Sequence, residues 1–333
     1  MSDKLAAVAE ETGFSGVVRV DRNDQVELLA AYGLADRGCG IPNAPETQLA
    51  IASGTKGLTA LTVASLIEDG ALDFATPART LLGEDLPLIG DDVTVEQLLS
   101  HRSGIGDYLD EEAGYDVAAY VLPVPVHELA STEDYLAVLD GHAPKFPPGE
   151  RFAYCNSGYV VLALVAERAA GVPFHELVVQ RVCTPARMHD TAFLRSDELP
   201  GRAALGYLEV DGAWRTNVFH LPVRGSGDGG IYTTVSDFSA LWHALFAGGI
   251  VSTAMVAELV RPRSDVPASR PRRYGLGFWL DASGETVMLE GSDAGVSFWS
   301  AHDPGRKLTG TVISNTSDGA WPVARLLAER LSA

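Results

Sequence analysis

The stretch LAIASGTKGLTALTVASL, residues 49–66, decides how the rest of the chain is interpreted. From Leu58 onward apolar side chains recur at helical spacing and Gly70 ends the pattern, which predicts a buried helix. Ser53 lies where this helix should begin, and Lys56 follows one turn later on the same side. Because a lysine on a buried helix is costly without a partner or a task, the pair is a candidate for chemistry.

The chemistry of this pair follows from its place at a helix start. The spacing alone is weak evidence, since a capped helix with a lysine reaching solvent has the same sequence. A serine at a helix N-terminus nevertheless has a dipole that favours a developing anion. Desolvation lowers the pKa of a lysine, whose neutral amine can then accept the serine proton. The pattern therefore indicates a serine nucleophile with a lysine base.

Composition limits the class of protein. The 333 residues are 46% hydrophobic and 21% charged, which predicts a packed core in one large domain or a domain with an insert. A formal charge of −19 disfavours nucleic acid and anionic membranes as partners, so we expect a small-molecule substrate. Three widely spaced cysteines argue against a disulfide framework and a zinc site. The scattered histidines argue likewise, so we expect no metal and no cofactor.

The sequence has no recognisable targeting or membrane-spanning pattern. The opening MSDKLAAVAEETG has no apolar core of signal-peptide length, and no long apolar run follows elsewhere in the chain. We therefore expect a cytoplasmic location. No G-x-S-x-G stretch is present either, which disfavours a Ser-His-Asp hydrolase.

Strand-like patterns occur near both ends of the chain and bracket a proline-rich middle with short helical patterns. The simplest arrangement is an α+β fold, with one antiparallel sheet built from both chain ends, flanked by helices, and a mostly helical second lobe. The predicted α/β lobe comprises residues 1–75 and 221–333, and the helical lobe comprises 76–220. The active site is expected between the two lobes of one structural unit.

A second motif lies in FPPGERFAYCNSGYVVLALVAE, residues 146–167. Here Tyr154-x-Asn156 precedes an apolar helix that should begin near Tyr159. Taken alone, these residues are equally typical of a core tyrosine and a helix-capping asparagine.

The two motifs together resemble the serine β-lactamase and penicillin-binding superfamily. The likeness is greatest to its class C β-lactamase-like branch, with its esterases, D-aminopeptidases and D-alanyl-D-alanine carboxypeptidases. VTVEQLLSHRSGIGDY (93–108), GDGGIYTTVSDFSAL (227–241) and YGLGF (274–278) agree with this resemblance, which covers essentially the whole chain. It implies a β-lactamase/transpeptidase-like fold.

The resemblance also implies roles for single residues. Ser53 would be the acylated nucleophile, with its backbone N–H as half of an oxyanion hole, and Lys56 would accept its proton. Tyr154, as a phenolate or as a shared-proton partner of Lys56, would help to activate serine, protonate the leaving group and later activate water. Asn156 would hydrogen-bond Lys56 or the substrate carbonyl.

The chain departs from the superfamily at its third motif, Lys-Thr-Gly or His-x-Gly, on the strand that lines the site. MLEGSDAGVSF (288–298) holds neither lysine nor histidine, and Gly291 or Ser292 falls where the basic residue belongs. Ser292 and Asp293 are therefore the substrate-binding candidates beside Asn156. Because Asp293 would repel a carboxylate, β-lactams and peptides ending in D-Ala become less favoured than esters, neutral amides or amine-bearing substrates.

Three functions stay open at this point. The leading one is an esterase or amidase acting on neutral or cationic small substrates. A D-amino-acid peptidase or weak β-lactamase is the alternative among enzymes, with Arg224 or an arginine within 270–275 supplying the missing cation. A binding or sensor protein without turnover is the alternative of another class. Of the remaining residues, His101 is interpreted as structural, and Trp279 and Trp299 as core rather than cleft wall.

Overall fold

A computed structural model describes residues 2–114, 116, 119–266 and 271–332 of the chain. Its strands are β1 (Gly16–Arg22), β2 (Gln25–Tyr32), β3 (Leu34–Asp36), β4 (Ile41–Pro42), β5 (Leu49–Ala50), β6 (Tyr207–Val210), β7 (Ala213–Thr216), β8 (Tyr232–Thr233), β9 (Ser264–Val266), β10 (Arg272–Tyr274), β11 (Trp279–Asp281), β12 (Val287–Asp293), β13 (Val296–Asp303) and β14 (Leu308–Ser314). Its α-helices are α1 (Ser2–Thr12), α2 (Thr55–Glu68), α3 (Arg79–Leu82), α4 (Val95–Leu99), α5 (Leu136–Leu139), α6 (Asn156–Ala170), α7 (Phe174–Val178), α8 (Thr184–Ala186), α9 (Val235–Phe246), α10 (Thr253–Leu259) and α11 (Ala320–Ser332).

Both chain ends contribute strands to one eight-stranded sheet, in the order β2-β1-β14-β13-β12-β11-β10-β9. The ends meet where β1 pairs antiparallel with β14, from Gly16 opposite Ser314 to Arg22 opposite Leu308. Every residue of β13 and β14 is buried, which is the pattern of strands covered on both faces. The predicted fold, an antiparallel sheet from both chain ends flanked by helices, is confirmed.

Helices cover the sheet on two sides and create two apolar clusters. On one side, Leu5 of α1 and Val323 of α11 pack with Val18 and Val312 of the sheet. On the other, α2, α6 and α9 form the larger cluster with β12 and β13. Helix α2 lies inside this cluster and is buried from Thr55 to Leu66. The nucleophile-bearing turn before α2 is therefore held between the sheet and the helices.

Part of the segment predicted as helical is extended. Strands β6 and β7 form a hairpin in it, and Tyr207 of β6 bridges to Thr316 after the last sheet strand. Gln48 bridges similarly to Ala203. The segment around residues 203–217 thus lies against the sheet, and the division of the chain into lobes at 75/76 and 220/221 stays a prediction.

Within the described part of the chain, no single helix has the length and apolar character needed to cross a membrane. The segments Asn156–Ala170 and Phe174–Ala186 meet these criteria only as a pair, with a bend of 86° between them.

Candidate active site

Ser53 lies on a short 3₁₀ turn, Ala52–Gly54, that leads directly into α2. Ala52 has a φ of 44°, in the left-handed region that side-chain-bearing residues rarely adopt. Strand β12 crosses this turn at Gly291, where an added Cβ would lie 2.1 Å from the Ile51 carbonyl oxygen and 2.9 Å from the Ser53 nitrogen. Only a glycine permits this approach, so the turn and the strand share one wall of the site.

Lys56 is the centre of the site, and only 2% of it is exposed. Its Nζ lies 2.9 Å from Ser53 Oγ, 2.8 Å from Asn156 Oδ1 and 2.9 Å from the carbonyl oxygen of Asp228. The Asn156 amide nitrogen donates to the Leu109 carbonyl at 2.9 Å, which turns its oxygen toward the lysine. The sequence prediction that Ser53, Lys56 and Asn156 meet therefore agrees with the placement of these side chains.

The three contacts of Lys56 suit a neutral amine. An amine has two N–H groups and one lone pair, and two of its three neighbours, Asn156 Oδ1 and the Asp228 carbonyl, are acceptors only. In the neutral form the lone pair would face the hydroxyl of Ser53, the one neighbour able to donate, whereas the charged form would donate to all three neighbours. Burial lowers the pKa of Lys56, although the charges of Asp228 and other nearby carboxylates oppose this.

Tyr154 lies beside the pair, with its ring centroid 4.9 Å from Lys56 Nζ. Burial raises the pKa of Tyr154 well above its ordinary value, although a hydrogen bond with the Ser53 side chain opposes this. The surroundings therefore favour a neutral phenol over the phenolate that the resemblance allowed. A neutral phenol can donate a proton, which suits a group expected to protonate a leaving group.

Tyr154 and Asn156 are held by the loop that follows α4. The N–H groups of Asn156 and Ser157 donate to the two oxygens of Asp107 at 2.9 and 2.8 Å. Asp107 thus satisfies the first N–H groups of α6 from a distant part of the chain. Sequence analysis missed this residue, because a cap supplied from the loop after α4, about 50 residues earlier, leaves no local signal at the start of α6.

An acidic cavity of about 650 Å³, including its open mouth, adjoins Ala52. Asp228 lines it and accepts a hydrogen bond from the Tyr108 hydroxyl at 2.6 Å. Asp293 also lines it, at the end of β12, and burial, with the nearby charges of Asp228 and Glu111, raises the pKa of Asp293 to about 7. The remaining wall is largely apolar and includes Tyr135, Leu194, Leu221, Pro222, Val223 and Val296. Sequence analysis identified Asp293 here and missed Asp228.

A wider cleft opens on the other side of Ser53. It is lined by Ser53, Tyr154, Glu290, Ser292, Phe152, Trp279 and Trp321. Trp279 is partly exposed in this cleft and stacks on Tyr154 at 6.0 Å, so the interpretation of Trp279 as a core residue is wrong. Trp299 is 5% exposed and does belong to the core. Ser292 and Asp293 are neighbours in sequence that face different sides of the nucleophile.

The close approach of Gly291 to the Ser53 turn offers a second register for the third motif. If this glycine is the motif's last residue, the basic residue corresponds to Leu289; its placement at Gly291 or Ser292 stays a prediction. Leu289 is buried, and its Cδ1 would lie 2.5 Å from a Cβ added to Gly57 of α2. A charged side chain at position 289 would have neither room nor solvent. In this register β12 therefore has an apolar side chain where the superfamily has a cation.

Those of the arginines considered as substitutes that the structure describes have other partners. Arg224 donates through Nε to the Phe193 carbonyl at 3.1 Å, and Arg272 pairs with Glu290 at 2.6 Å. Arg270 lies outside the described residues. Among those residues no group of three or more His, Cys, Asp or Glu side chains has the arrangement of a metal site.

This fold, with a serine and a buried lysine at the start of the central helix, defines a protein of the serine β-lactamase and penicillin-binding superfamily, as predicted. The profile of the Beta-lactamase family matches residues 1–333, and the chain belongs to that family.

Individual relatives agree with this assignment. A penicillin-binding protein from Bacillus halodurans superposes with a TM-score of 0.91 and 35% identity, over 98% of this chain and 99% of that one. The putative penicillin-binding protein PbpX of Bacillus subtilis is 26% identical over 84% of this chain and 65% of its own length. Esterase EstB of Burkholderia gladioli is 33% identical over 60% of this chain and 52% of its own. The chain thus spans about half to two thirds of the length of these two curated relatives.

Proposed function

We propose that the chain is a serine hydrolase that forms an acyl-enzyme on Ser53. The observation that carries this proposal is the placement of buried Lys56, whose Nζ lies 2.9 Å from Ser53 Oγ while its other two contacts are acceptors only, so that the neutral amine would turn its lone pair to the serine hydroxyl. A purely structural role explains this lysine less well, because burying its amine costs solvation free energy that an apolar residue at the same position would not lose.

The reaction follows from this arrangement. Lys56 takes the proton of Ser53 as the serine oxygen attacks the substrate carbonyl. The resulting oxyanion accepts hydrogen bonds from the Ser53 N–H and from a backbone N–H of β12, which meets the turn at Gly291. When the intermediate collapses, neutral Tyr154 gives its proton to the leaving group and regains one from Lys56. Water then attacks the acyl-enzyme with the same groups in reverse order, which restores Ser53.

The two cavities on either side of Ser53 suggest where the parts of the substrate lie. Tyr154 lies in the wide cleft, so the leaving group it protonates belongs there, and the acyl group belongs in the cavity beside Ala52. Asp228 and Asp293 line this acyl cavity, and Leu289 replaces the superfamily's cation. A carboxylate there would be repelled, so the proposed substrates are neutral or cationic esters or amides.

A D-amino-acid peptidase is a second candidate, since the same two carboxylates suit an acyl group that carries an ammonium. A weak β-lactamase is disfavoured by the missing cation. A location in the cytoplasm is also part of the proposal, and it is supported by the free state of Cys39, Cys155 and Cys183.

The test is steady-state and burst kinetics with a nitrophenyl ester, combined with fluorophosphonate labelling and mass spectrometry. We expect continued turnover, and an adduct on Ser53 that disappears in Ser53→Ala. A burst of one equivalent without turnover would instead identify an acylated sensor. Labelling at another serine, or full activity of Ser53→Ala, would refute the proposed nucleophile.

A further inference from the structure

His101 contacts the backbone on both sides of Tyr154. Its carbonyl oxygen accepts the N–H of Ala153 at 2.9 Å, and its ring Nδ1 accepts the N–H of Cys155 at 3.0 Å. The residue between these two hydrogen bonds is Tyr154. One histidine therefore fixes the main chain immediately before and after the tyrosine that the proposed mechanism uses.

The ring of His101 also packs on the tyrosine itself. The two ring centroids are 4.3 Å apart, and Trp279 stacks on Tyr154 at 6.0 Å. His101 is 1% exposed and has a φ of 55°, so the chain turns sharply after α4 to place this ring. The phenol ring of Tyr154 packs on the His101 ring, and the main chain on both sides of Tyr154 is hydrogen-bonded to His101. The tyrosine therefore has little freedom to shift.

The contribution of His101 to stability does not by itself explain why a histidine stands at this position. Since Nδ1 accepts, the proton of the neutral ring is on Nε2. Nε2 is buried and has no hydrogen-bond partner among the residues that the structure describes. An unpaired buried donor opposes folding. Burial and the charge of Lys56 hold the pKa of His101 well below its ordinary value, which keeps the ring neutral and Nδ1 an acceptor.

We propose that His101 is the positioning residue of Tyr154, which sets the place of the phenol hydroxyl relative to Ser53 by clamping residues 153–155 and packing on the phenol ring. This inference rests on the proposed role of Tyr154. It assigns His101 no contact with substrate: its whole effect on turnover passes through the tyrosine. A displacement of about 1 Å in such a group can cost about a hundredfold in rate.

The test is a double-mutant cycle between His101 and Tyr154, measured as kcat and KM on an alkyl ester, whose poor leaving group needs the Tyr154 proton. We expect His101→Ala to lower kcat about a hundredfold with little change in KM. His101→Asn should recover about a tenth of wild-type kcat, because its Oδ1 can still accept the Cys155 N–H and asparagine tolerates a positive φ. In the Tyr154→Phe background, both substitutions should change kcat less than threefold, since the residues act as a unit.

The matched control is His302→Asn. His302 is also buried and stacked on a tryptophan, and it contacts Thr309 Oγ1 at 2.8 Å, but it lies at the opposite end of β12 and β13 from Gly291. The substitution His302→Asn should lower the free energy of unfolding, measured by urea titration, without lowering kcat.

Additive losses in the cycle would overturn the proposal, as would a His101→Asn enzyme with unchanged kcat. A His101→Asn protein that does not fold, beside a folded His302→Asn, would also overturn it, because His101 would then serve the fold. If Tyr154→Phe itself keeps full activity, the proposed role of Tyr154 fails, and this outcome is distinguishable from the others.

Discussion

Asp293→Asn should remove a preference of the enzyme for cationic acyl groups. Asp293 lines the acyl cavity and accepts a local hydrogen bond from the Ala294 N–H at 2.8 Å. A fixed positive charge about 6 Å from its carboxylate would gain about 3 kcal/mol at an effective dielectric near 20, or about a hundredfold. Because Asp293 is partly exposed, screening should reduce the measured effect to about tenfold.

The assay compares two nitrophenyl esters whose acyl groups end in trimethylammonium or in isosteric tert-butyl. Since neither group titrates, the ratio of their kcat/KM values cancels the shared titration of Lys56 and reports the charge of the two carboxylates that line the cavity, Asp228 and Asp293; the comparison with Asp293→Asn isolates the part due to Asp293. With a pKa of about 7, Asp293 is about one-tenth ionised at pH 6 and about nine-tenths at pH 8. The ratio should therefore rise several-fold between these pH values in the wild type and rise less in Asp293→Asn, where of the two carboxylates only Asp228 remains to titrate.

Two results would refute this reasoning. A wild-type ratio that does not change with pH would mean that Asp293 is not the titrating group at the acyl cavity. A wild-type preference for the tert-butyl ester, or for a matched ester ending in a carboxylate, would mean that the acyl group does not enter this cavity. Ser292→Ala is the matched control, because Ser292 is the next residue along β12 but faces the other cleft.

Further substitutions test the remaining assignments. Lys56→Arg should lose nearly as much kcat as Lys56→Ala, about a thousandfold or more, because a guanidinium cannot release a proton at neutral pH; retention of most activity would contradict the base role. Tyr154→Phe should lower kcat on an alkyl ester far more than kcat on a nitrophenyl ester, because only the alkoxide leaving group needs a proton. The measurement is kcat of the wild type and the variant on both esters. The Asp293 pKa is higher folded than unfolded, so its contribution to stability falls as pH rises from about 4 to about 7. Asp293→Asn should thus raise the free energy of unfolding at pH 8, by about 2 kcal/mol, and hardly change it at pH 4; equal effects at both pH values in urea titrations would disprove the raised pKa.

Local patterns were sufficient to predict the sheet and the first half of the site. Strand periodicity near both ends, with a helical middle, leaves few ways to bury both apolar faces, and the β1–β14 pairing is the result. Ser53 and Lys56 are one turn apart, so their meeting depends only on the start of α2. Tyr154 and Asn156 are close in sequence at the start of α6, but their pattern alone is equally typical of a core tyrosine and a capping asparagine, so their roles were predicted from the resemblance to the superfamily.

The rest of the site depends on contacts between distant segments. Asp107 caps α6 from the loop after α4, and Asp228 contributes its backbone carbonyl, which a pattern of side chains does not predict. The register of the third motif depends on the approach of Gly291 to the Ser53 turn, a distance that exists only after the sheet is built. Trp279 could not be assigned to the cleft for the same reason, because its stacking partner Tyr154 arrives from another part of the chain.

A lysine can occupy the buried start of α2 because three separate segments each supply it with one polar partner. Ser53 comes from the preceding turn, Asn156 is the first residue of α6, and the Asp228 carbonyl comes from the loop between β7 and β8. Removing either acceptor-only partner would leave an N–H of the amine unpaired in the interior, at a cost of about 1–3 kcal/mol. The same three contacts that make the lysine tolerable also orient it, so folding of the two distant segments onto α2 and assembly of the base are one event.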